Sequence, residues 1–229
     1  MKKIKRLKKS IFHQAIWITT FSAVTFIIPT IIHAYIRSRY ELSFEANQLR
    51  DIIYSLMVIF LNIFIVKKWF SFNEVGLQKK GFIKSLFYSI IFVVLLRLFD
   101  YFSLKQAFPK EIWTWRFVFS LMPNIFLAFQ EELMFRGIIF RVWEKWKGFL
   151  VALFMSSILF GVEHLVYPVL GSEAVTTSKA VSTALWGPIF VTIAYRTNNI
   201  WGLTISHFLY NASILSSEQK THFKILFSH

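Results

Sequence analysis

The feature that most constrains this chain is a series of apolar runs, each about 20 residues long, which is the length that a helix needs to cross roughly 30 Å of hydrocarbon. Water-soluble cores do not require such runs. Hydrophobic residues make up 55% of the 229 residues and charged residues only 17%, a composition outside ordinary soluble usage. The sequence therefore predicts an all-α fold, a polytopic transmembrane helical bundle.

Apolar stretches bounded by charged or turn-forming residues give seven predicted spans, with six to eight allowed. They are 12–35, 52–66, 82–103, 117–140, 149–169, 178–195 and 200–216. No linker divides the chain, so we expect one integral membrane domain over 1–229 with a motif-bearing core at 117–215. The basic start is not followed by a small-residue cleavage site, and we interpret the first apolar run as a retained span.

The net charge of +14 does not indicate nucleic acid here, because Lys and Arg fall mostly between the apolar runs. At those positions they contact anionic lipid and set orientation. Placing the N-terminus in the cytoplasm puts the basic residues of 67–80 and 141–147 on the same side, and we expect a multi-pass protein of the cell membrane. The loops assigned to the other side are 36–51 and 104–116. The absence of Cys excludes disulfides, thiolate metal sites and a cysteine nucleophile.

Three glutamates, Glu131, Glu132 and Glu163, fall inside predicted spans, where an unpaired charge costs several kcal/mol. Glu132 and Arg136 are four residues apart and are predicted to pair on one helix face. A purely structural ion pair between helices, or side chains extended toward the interface, is the alternative explanation for this motif. Glu163 adjoins His164 in sequence and is expected to face away from it, so its role stays open.

Two further spans carry ionisable or amide side chains. His164 lies on the span after the glutamates, and His207 and Asn211 lie one helical turn apart on the last span. A single intramembrane histidine is more often a hydrogen-bonded packing residue than a catalytic one. The helical rise nevertheless places Glu131 and both histidines at compatible depths, so we predict that they surround one hydrated pocket.

Other ionisable residues within the spans are interpreted as structural. His13 and His33 lie near the ends of the first span, away from a comparable polar cluster. Asp100 lies near the end of the third span and is expected to be interfacial or to pack between helices.

The order E-E-x-x-x-R, F-x-x-x-H and H-x-x-x-N, with each motif on its own span, resembles the CAAX-processing and bacteriocin-processing (CPBP) intramembrane proteases, also called the Abi or CAAX protease self-immunity family. The resemblance covers roughly 117–215. The residues that carry it are Glu131, Glu132, Arg136, Phe160, His164, His207 and Asn211.

The resemblance implies hydrolysis of a peptide bond inside a helical bundle, with Glu131 as general base and without a covalent acyl-enzyme. Glu131 with His164 would activate water, because a carboxylate in a poorly hydrated cavity is a better base near neutral pH. His207 and Asn211 would donate hydrogen bonds to the oxyanion. The substrate would be a membrane-embedded peptide or a lipidated protein.

The resemblance gives the remaining motif residues supporting roles. Glu132, paired to Arg136, would hold the helix, and Phe160 would be the aromatic residue of the second motif. No cofactor is expected, and the metal-free scheme is favoured.

Several alternatives stay open. Two histidines and a glutamate could instead bind zinc, and the ligands would then be Glu131, His164 and His207. A bacteriocin self-immunity protein could protect by binding rather than by cleavage. A proton-coupled transporter could use the same buried groups as a relay, although the spans lack the Gly- and Pro-broken pattern of such transporters.

Overall fold

The computed structural model describes residues 2–103, 114–166 and 177–226, and within these ranges the chain is helical almost throughout and contains no strand. The all-α prediction is therefore confirmed. The helices are α1 (Lys2–Arg39), α2 (Phe44–Trp69), α3 (Phe82–Ser103), α4 (Trp115–Glu131), a π-helical segment (Glu132–Ile139), α5 (Phe140–Lys147), α6 (Phe149–His164), α7 (Thr177–Thr197) and α8 (Trp201–Leu226).

Each predicted span falls on one of these helices, and the predicted span 117–140 covers α4 and the π-helical segment together. The last three residues of the span 149–169 and most of the loop 104–116 lie outside the described residues. Side chains cap two helix starts: Ser43 accepts a hydrogen bond from the amide of Ala46, and Thr114 accepts one from Phe117.

Three helical stretches are long and apolar enough to cross a membrane, namely Phe12–Ile36, Phe44–Trp69 and Phe82–Phe102. Their outward faces expose large apolar side chains such as Phe60 and Ile83, as a lipid-facing surface does. The apolar helix α6 is shorter. The chain is an integral membrane protein, and the total of seven spans stays a prediction.

Helices α6 and α7 pack more closely than ordinary side chains would allow. A Cβ built at Gly161 would lie 2.6 Å from the Cβ of Ala184, and one built at Gly187 would lie 2.7 Å from the side chain of Ser157. Small residues permit such close approach of helix backbones in membranes. This contact fixes α6, which carries His164, against α7.

Helices α3 and α8 also approach closely at their starts. A Cβ at Gly202 would lie 2.3 Å from the backbone nitrogen of Leu86. One turn further along α8, the hydroxyls of Ser89 and Ser206 share a hydrogen bond of 2.5 Å. These contacts set the position of α8 along α3, and with it the height of His207.

Asp100 packs between the same two helices, as predicted. Its Oδ2 accepts hydrogen bonds from Arg97 and from the hydroxyl of Tyr210, both at 3.2 Å. Arg97 on the same helix thus balances the charge of Asp100, and Tyr210 links Asp100 to α8.

The histidines of α1 lie apart from the glutamate motif. His33 contacts Asp51 of α2, with 2.8 Å between Nε2 and Oδ1, and its ring stacks on Tyr54 with centroids 4.7 Å apart. His13 is exposed and lies edge-on to Phe12. His33 therefore helps to join α1 to α2.

On one side of the bundle, the loop 70–81 and the turn 197–200 are bonded to each other. The side-chain amide of Gln78 donates to the carbonyl of Asn198 at 2.9 Å, and the turn is tight, with a φ of 48° at Asn198. Lys145 of α5 forms an ion pair of 2.8 Å with Glu74 of the loop 70–81. The loop 70–81 therefore lies beside α5, and the placement of 67–80 and 141–147 on the cytoplasmic side stays a prediction.

Candidate active site

The glutamate motif lies where an α-helix changes to a π-helix. Glu131 ends α4 and Glu132 begins the π-helical segment, in which the amide of Phe140 bonds to the carbonyl five residues earlier, that of Phe135. All eight residues of the segment are buried. Stretches of π-helix inside α-helices occur frequently at functional sites.

A glycine lets a neighbouring loop pack against this segment. A Cβ at Gly137 would lie 3.1 Å from the carbonyl oxygen of Val75, which belongs to the loop 70–81. The loop thus seats directly on the segment that carries Glu132 and Arg136.

His207 of α8 contacts both glutamates of the first motif. Its Nδ1 lies 2.9 Å from Oε1 of Glu132, and its Nε2 lies 3.6 Å from Oε2 of Glu131. An ionised carboxylate only accepts hydrogen bonds, so the contact to Glu132 places the ring hydrogen on Nδ1. Residues 75 positions apart in sequence therefore meet at one point.

Glu132 also forms the predicted ion pair with Arg136, with 3.4 Å between Oε1 and Nη1. The guanidinium is 1% exposed and lies between two aromatic rings, with its carbon 4.1 Å from the centroid of Phe160 and 5.4 Å from that of Phe190. No guanidinium nitrogen has a hydrogen-bond partner among the described residues. The ring faces and the carboxylate together surround this cation.

Phe160 connects the second motif to the other two. Its carbonyl oxygen lies 2.9 Å from Nδ1 of His164, which requires the hydrogen on that nitrogen because a carbonyl only accepts. Its ring lies edge-on to His164 at 5.0 Å and to His207 at 6.2 Å. The phenylalanine of the motif therefore contacts both histidines and Arg136.

Glu163 is buried in the same region, and the expectation that it faces away from His164 is wrong. Its Oε2 lies 3.9 Å from Nδ1 of His164. It also interacts electrostatically with Glu131 and Arg136, so a base on another helix does lie within range. The carbonyl of Phe160 bonds Nδ1 of His164 and keeps the imidazole beside the last turn of α6, within reach of Glu163.

The structure joins Glu131, Glu132, Arg136, Phe160 and His207 through a chain of pairwise contacts. Their neighbours on the same side are Glu163 and His164 of α6. Asn211 is half-buried one turn beyond His207 on α8. About an eighth of each histidine side chain is exposed, 12% for His164 and 13% for His207, whereas Glu132 is fully buried, so the histidines are the more accessible groups.

Residues 113–213 match the family model described as Rce1-like, type II CAAX prenyl endopeptidase. This part of the chain, called the Rce1-like core below, is similar to that endopeptidase family. The match takes in all three motifs, as the resemblance to CPBP proteases predicted, and spans a little under half of the 229 residues. Comparisons with curated proteins and with solved structures found no match.

The matched family is described as one of CAAX prenyl endopeptidases, and the match falls on the helices α4 to α8. Helices α1 to α3 lie outside the match. Their contribution to the Rce1-like core is physical, through the loop 70–81 against the π-helical segment and through α3 against α8.

One residue of the Rce1-like core could not be singled out from the sequence. Phe190 of α7 contacts Arg136, and its ring lies 6.1 Å from that of His207. The chain contains 27 Phe, and α7 carries none of the three motifs, so no signal distinguishes this one.

The zinc alternative has Glu131, His164 and His207 as ligands. Within 2–103, 114–166 and 177–226, no group of three or more His, Asp or Glu side chains is arranged as a metal site. The choice between a metal-free and a zinc-dependent reaction is one for experiment.

Proposed function

We propose that the chain is an intramembrane endopeptidase that hydrolyses a peptide bond in a membrane-embedded or lipid-anchored peptide, with Glu131 as the base that activates water. The observation that carries the proposal is the contact of one histidine, His207, with both Glu131 and Glu132 in a buried cluster. Acids and imidazoles held at one point in a poorly hydrated site are what general acid–base catalysis requires.

In the first step, the carboxylate of Glu131 accepts a proton from a water molecule while the water oxygen attacks the peptide carbonyl. The bond to Phe160 fixes the hydrogen of neutral His164 on Nδ1, which leaves Nε2 as an acceptor that can orient this water. As the carbon–nitrogen bond breaks, the proton on Glu131 passes to the leaving amine. Atoms and charges balance without a covalent intermediate on the protein.

The negative charge that develops on the carbonyl oxygen needs donors. Glu132 holds His207 by Nδ1, whereas the 3.6 Å contact of Nε2 with Glu131 is too long for a strong hydrogen bond. In its imidazolium form, with a hydrogen on each ring nitrogen, His207 would keep Nδ1 on Glu132 and donate from Nε2 to the oxyanion. Asn211, one turn further along α8, would supply an amide donor beside it.

The first substrate to test is a prenylated CAAX-type peptide, because the matched family is one of CAAX prenyl endopeptidases. The same peptide without its prenyl group is the comparison. Stronger cleavage of the prenylated form is expected if the lipid anchors the peptide in the membrane, and equal cleavage would remove the prenyl requirement while leaving the proposed chemistry intact.

The decisive variant is Glu131→Gln, which keeps the shape of the side chain and removes its basicity. In purified protein reconstituted in liposomes, we expect cleavage to fall at least about 100-fold, the lower range for a lost general base. Glu74→Gln, at an exposed glutamate outside the site, is the matched control and should cleave at the parent rate. Parent-rate cleavage by correctly inserted Glu131→Gln would show that the base is misassigned.

A chelator separates the two chemistries. The metal-free scheme expects unchanged cleavage after treatment with a strong zinc chelator. Loss of cleavage that added zinc restores would favour the alternative in which Glu131, His164 and His207 hold a metal.

A further inference from the structure

The burial of Arg136 is energetically costly, and the three motifs by themselves do not show what stabilises it. Its guanidinium is 1% exposed, and none of its nitrogens is hydrogen-bonded to a described residue. Burying a cation is costly unless an opposite charge or other polar groups replace its water. Glu132 lies at 3.4 Å, longer than a good hydrogen bond, so the carboxylate alone is a weak replacement.

Two ring faces complete the surroundings of this cation. The ring of Phe160 on α6 and the ring of Phe190 on α7 both lie within about 6 Å of the guanidinium, the distance at which a ring attracts a cation. Phe190 is itself buried and contacts Phe92 of α3 edge-on, with centroids 5.4 Å apart. The ring is thus a fixed part of the bundle.

The position of Arg136 bears directly on the catalytic histidine. Arg136 and His207 both contact the same oxygen, Oε1 of Glu132. A guanidinium that moves away from this oxygen changes the orientation of the carboxylate that anchors Nδ1 of His207. Phe190 contacts Arg136 and His207 simultaneously, so it touches both partners of that oxygen.

We propose that Phe190 is a positioning residue of the peptidase site: its ring face stabilises the buried Arg136 and, through Glu132, keeps His207 directed at the reacting carbonyl. The inference rests on the proposed function. Phe190 acts through Arg136 and His207 rather than on substrate, so its loss lowers kcat and leaves KM nearly unchanged.

The first test compares Phe190→Leu with Phe190→Tyr. Leucine keeps an apolar side chain and removes the ring face, whereas tyrosine keeps the ring. We expect Phe190→Leu to lower kcat about 30-fold, the factor that corresponds to a desolvated cation–ring contact, with KM within about twofold of the parent. Phe190→Tyr should retain most of the parent kcat. Equal losses in both variants, or parent kcat in Phe190→Leu, would overturn the inference.

The matched control is Phe92→Leu, which makes the same chemical change in the ring that packs behind Phe190 and is not among the rings around Arg136. It should leave kcat within about twofold of the parent, as substitutions away from such contacts usually do. A loss as large as that of Phe190→Leu would reduce Phe190 to ordinary packing.

Fluorinated phenylalanines at position 190 provide a readout that packing alone does not move. One, two and three fluorines weaken the negative ring face stepwise with little change in size, so kcat should fall stepwise. A flat series contradicts the inference even if Phe190→Leu fails to fold. The proposed function is judged separately: if Glu131→Gln cleaves like the parent, the function fails, whereas loss of cleavage in Glu131→Gln with a flat fluorine series sinks only the role of Phe190.

Discussion

The α1–α2 contact and the glutamate site both place acids, an arginine and histidine inside the bundle, but they are balanced differently. Between α1 and α2, Asp51 faces both Arg50 and His33, at 2.7 and 2.8 Å. One acid thus has two basic partners. In the site, the described residues comprise three carboxylates, one arginine and two histidines. The site residues are Glu131, Glu132, Glu163, Arg136, His164 and His207.

This difference teaches where proton transfer is possible. A carboxylate matched by an arginine keeps its charge and holds two helices together. The site instead gathers more carboxylates than arginines beside two imidazoles, the side chains that general acid–base catalysis uses. The first arrangement serves packing, and the second is suited to chemistry.

The largest difference in cleavage rate between the two regions should appear when one carboxylate is removed from each. Glu132→Gln leaves Arg136 without its counter-charge and weakens the hydrogen bond that anchors His207, and we expect cleavage to fall at least about 100-fold. Asp51→Asn should leave kcat within about twofold of the parent, within the range usual for changes away from a site. Cleavage assays on both purified variants make the comparison, and similar losses in the two would contradict the distinction.

A smaller effect is expected from moving a helix rather than a charge. Gly161→Val would force α6 away from Ala184 of α7 and shift His164, and overpacking of this kind lowers stability by about 1–3 kcal/mol. We expect lower kcat as well. Val162→Leu, on the exposed side of the same turn, is the control. Unfolding in detergent and cleavage rates test both, and a Gly161→Val protein as stable and active as the control would refute the close α6–α7 contact.

The α1–α2 region should respond in stability alone. Thr30→Val keeps the shape of the side chain and removes the 2.8 Å hydrogen bond with the hydroxyl of Tyr54, a change worth about 1 kcal/mol. The unfolding free energy should fall by that amount while kcat and KM stay at parent values. A large fall in kcat would show that this region takes part in the chemistry after all.

The smallest effect is expected at the ion pair of the loop 70–81. The hydrogen bond from Lys145, followed by that from the amide of Ser71, lowers the pKa of Glu74 from 4.5 to about 2. A lowered pKa in the folded state adds stability above pH 4.5 that is lost as the pH falls toward 2. Both partners are exposed, so Glu74→Gln should cost at most about 1 kcal/mol at pH 7.

Unfolding midpoints of the parent and Glu74→Gln at pH 7 and pH 3 provide the measurement. The difference between the two proteins should be smaller at pH 3. A stability difference between the two proteins that grows as the pH falls would contradict the stabilising role of this ion pair.

Local spacing accounts for the parts of the fold and site that were predicted. Apolar runs located the helices, and four-residue spacing predicted the pair of Glu132 and Arg136, because neighbours one turn apart meet whatever the rest of the bundle does. The same reasoning failed for Glu163. Adjacent residues diverge on an ideal helix, but a long side chain at a helix end can turn back, and Glu163 approaches His164.

The sequence by itself determined that the chain is a membrane helical bundle and which residues form the three motifs, because hydrophobic length and short-range periodicity are properties of the chain alone. The tertiary structure decided that His207 bridges Glu131 and Glu132 and that Phe190 joins Phe160 around Arg136. Such contacts depend on how closely helices approach and how they are rotated. These are set by small residues and hydrogen bonds between segments far apart in sequence.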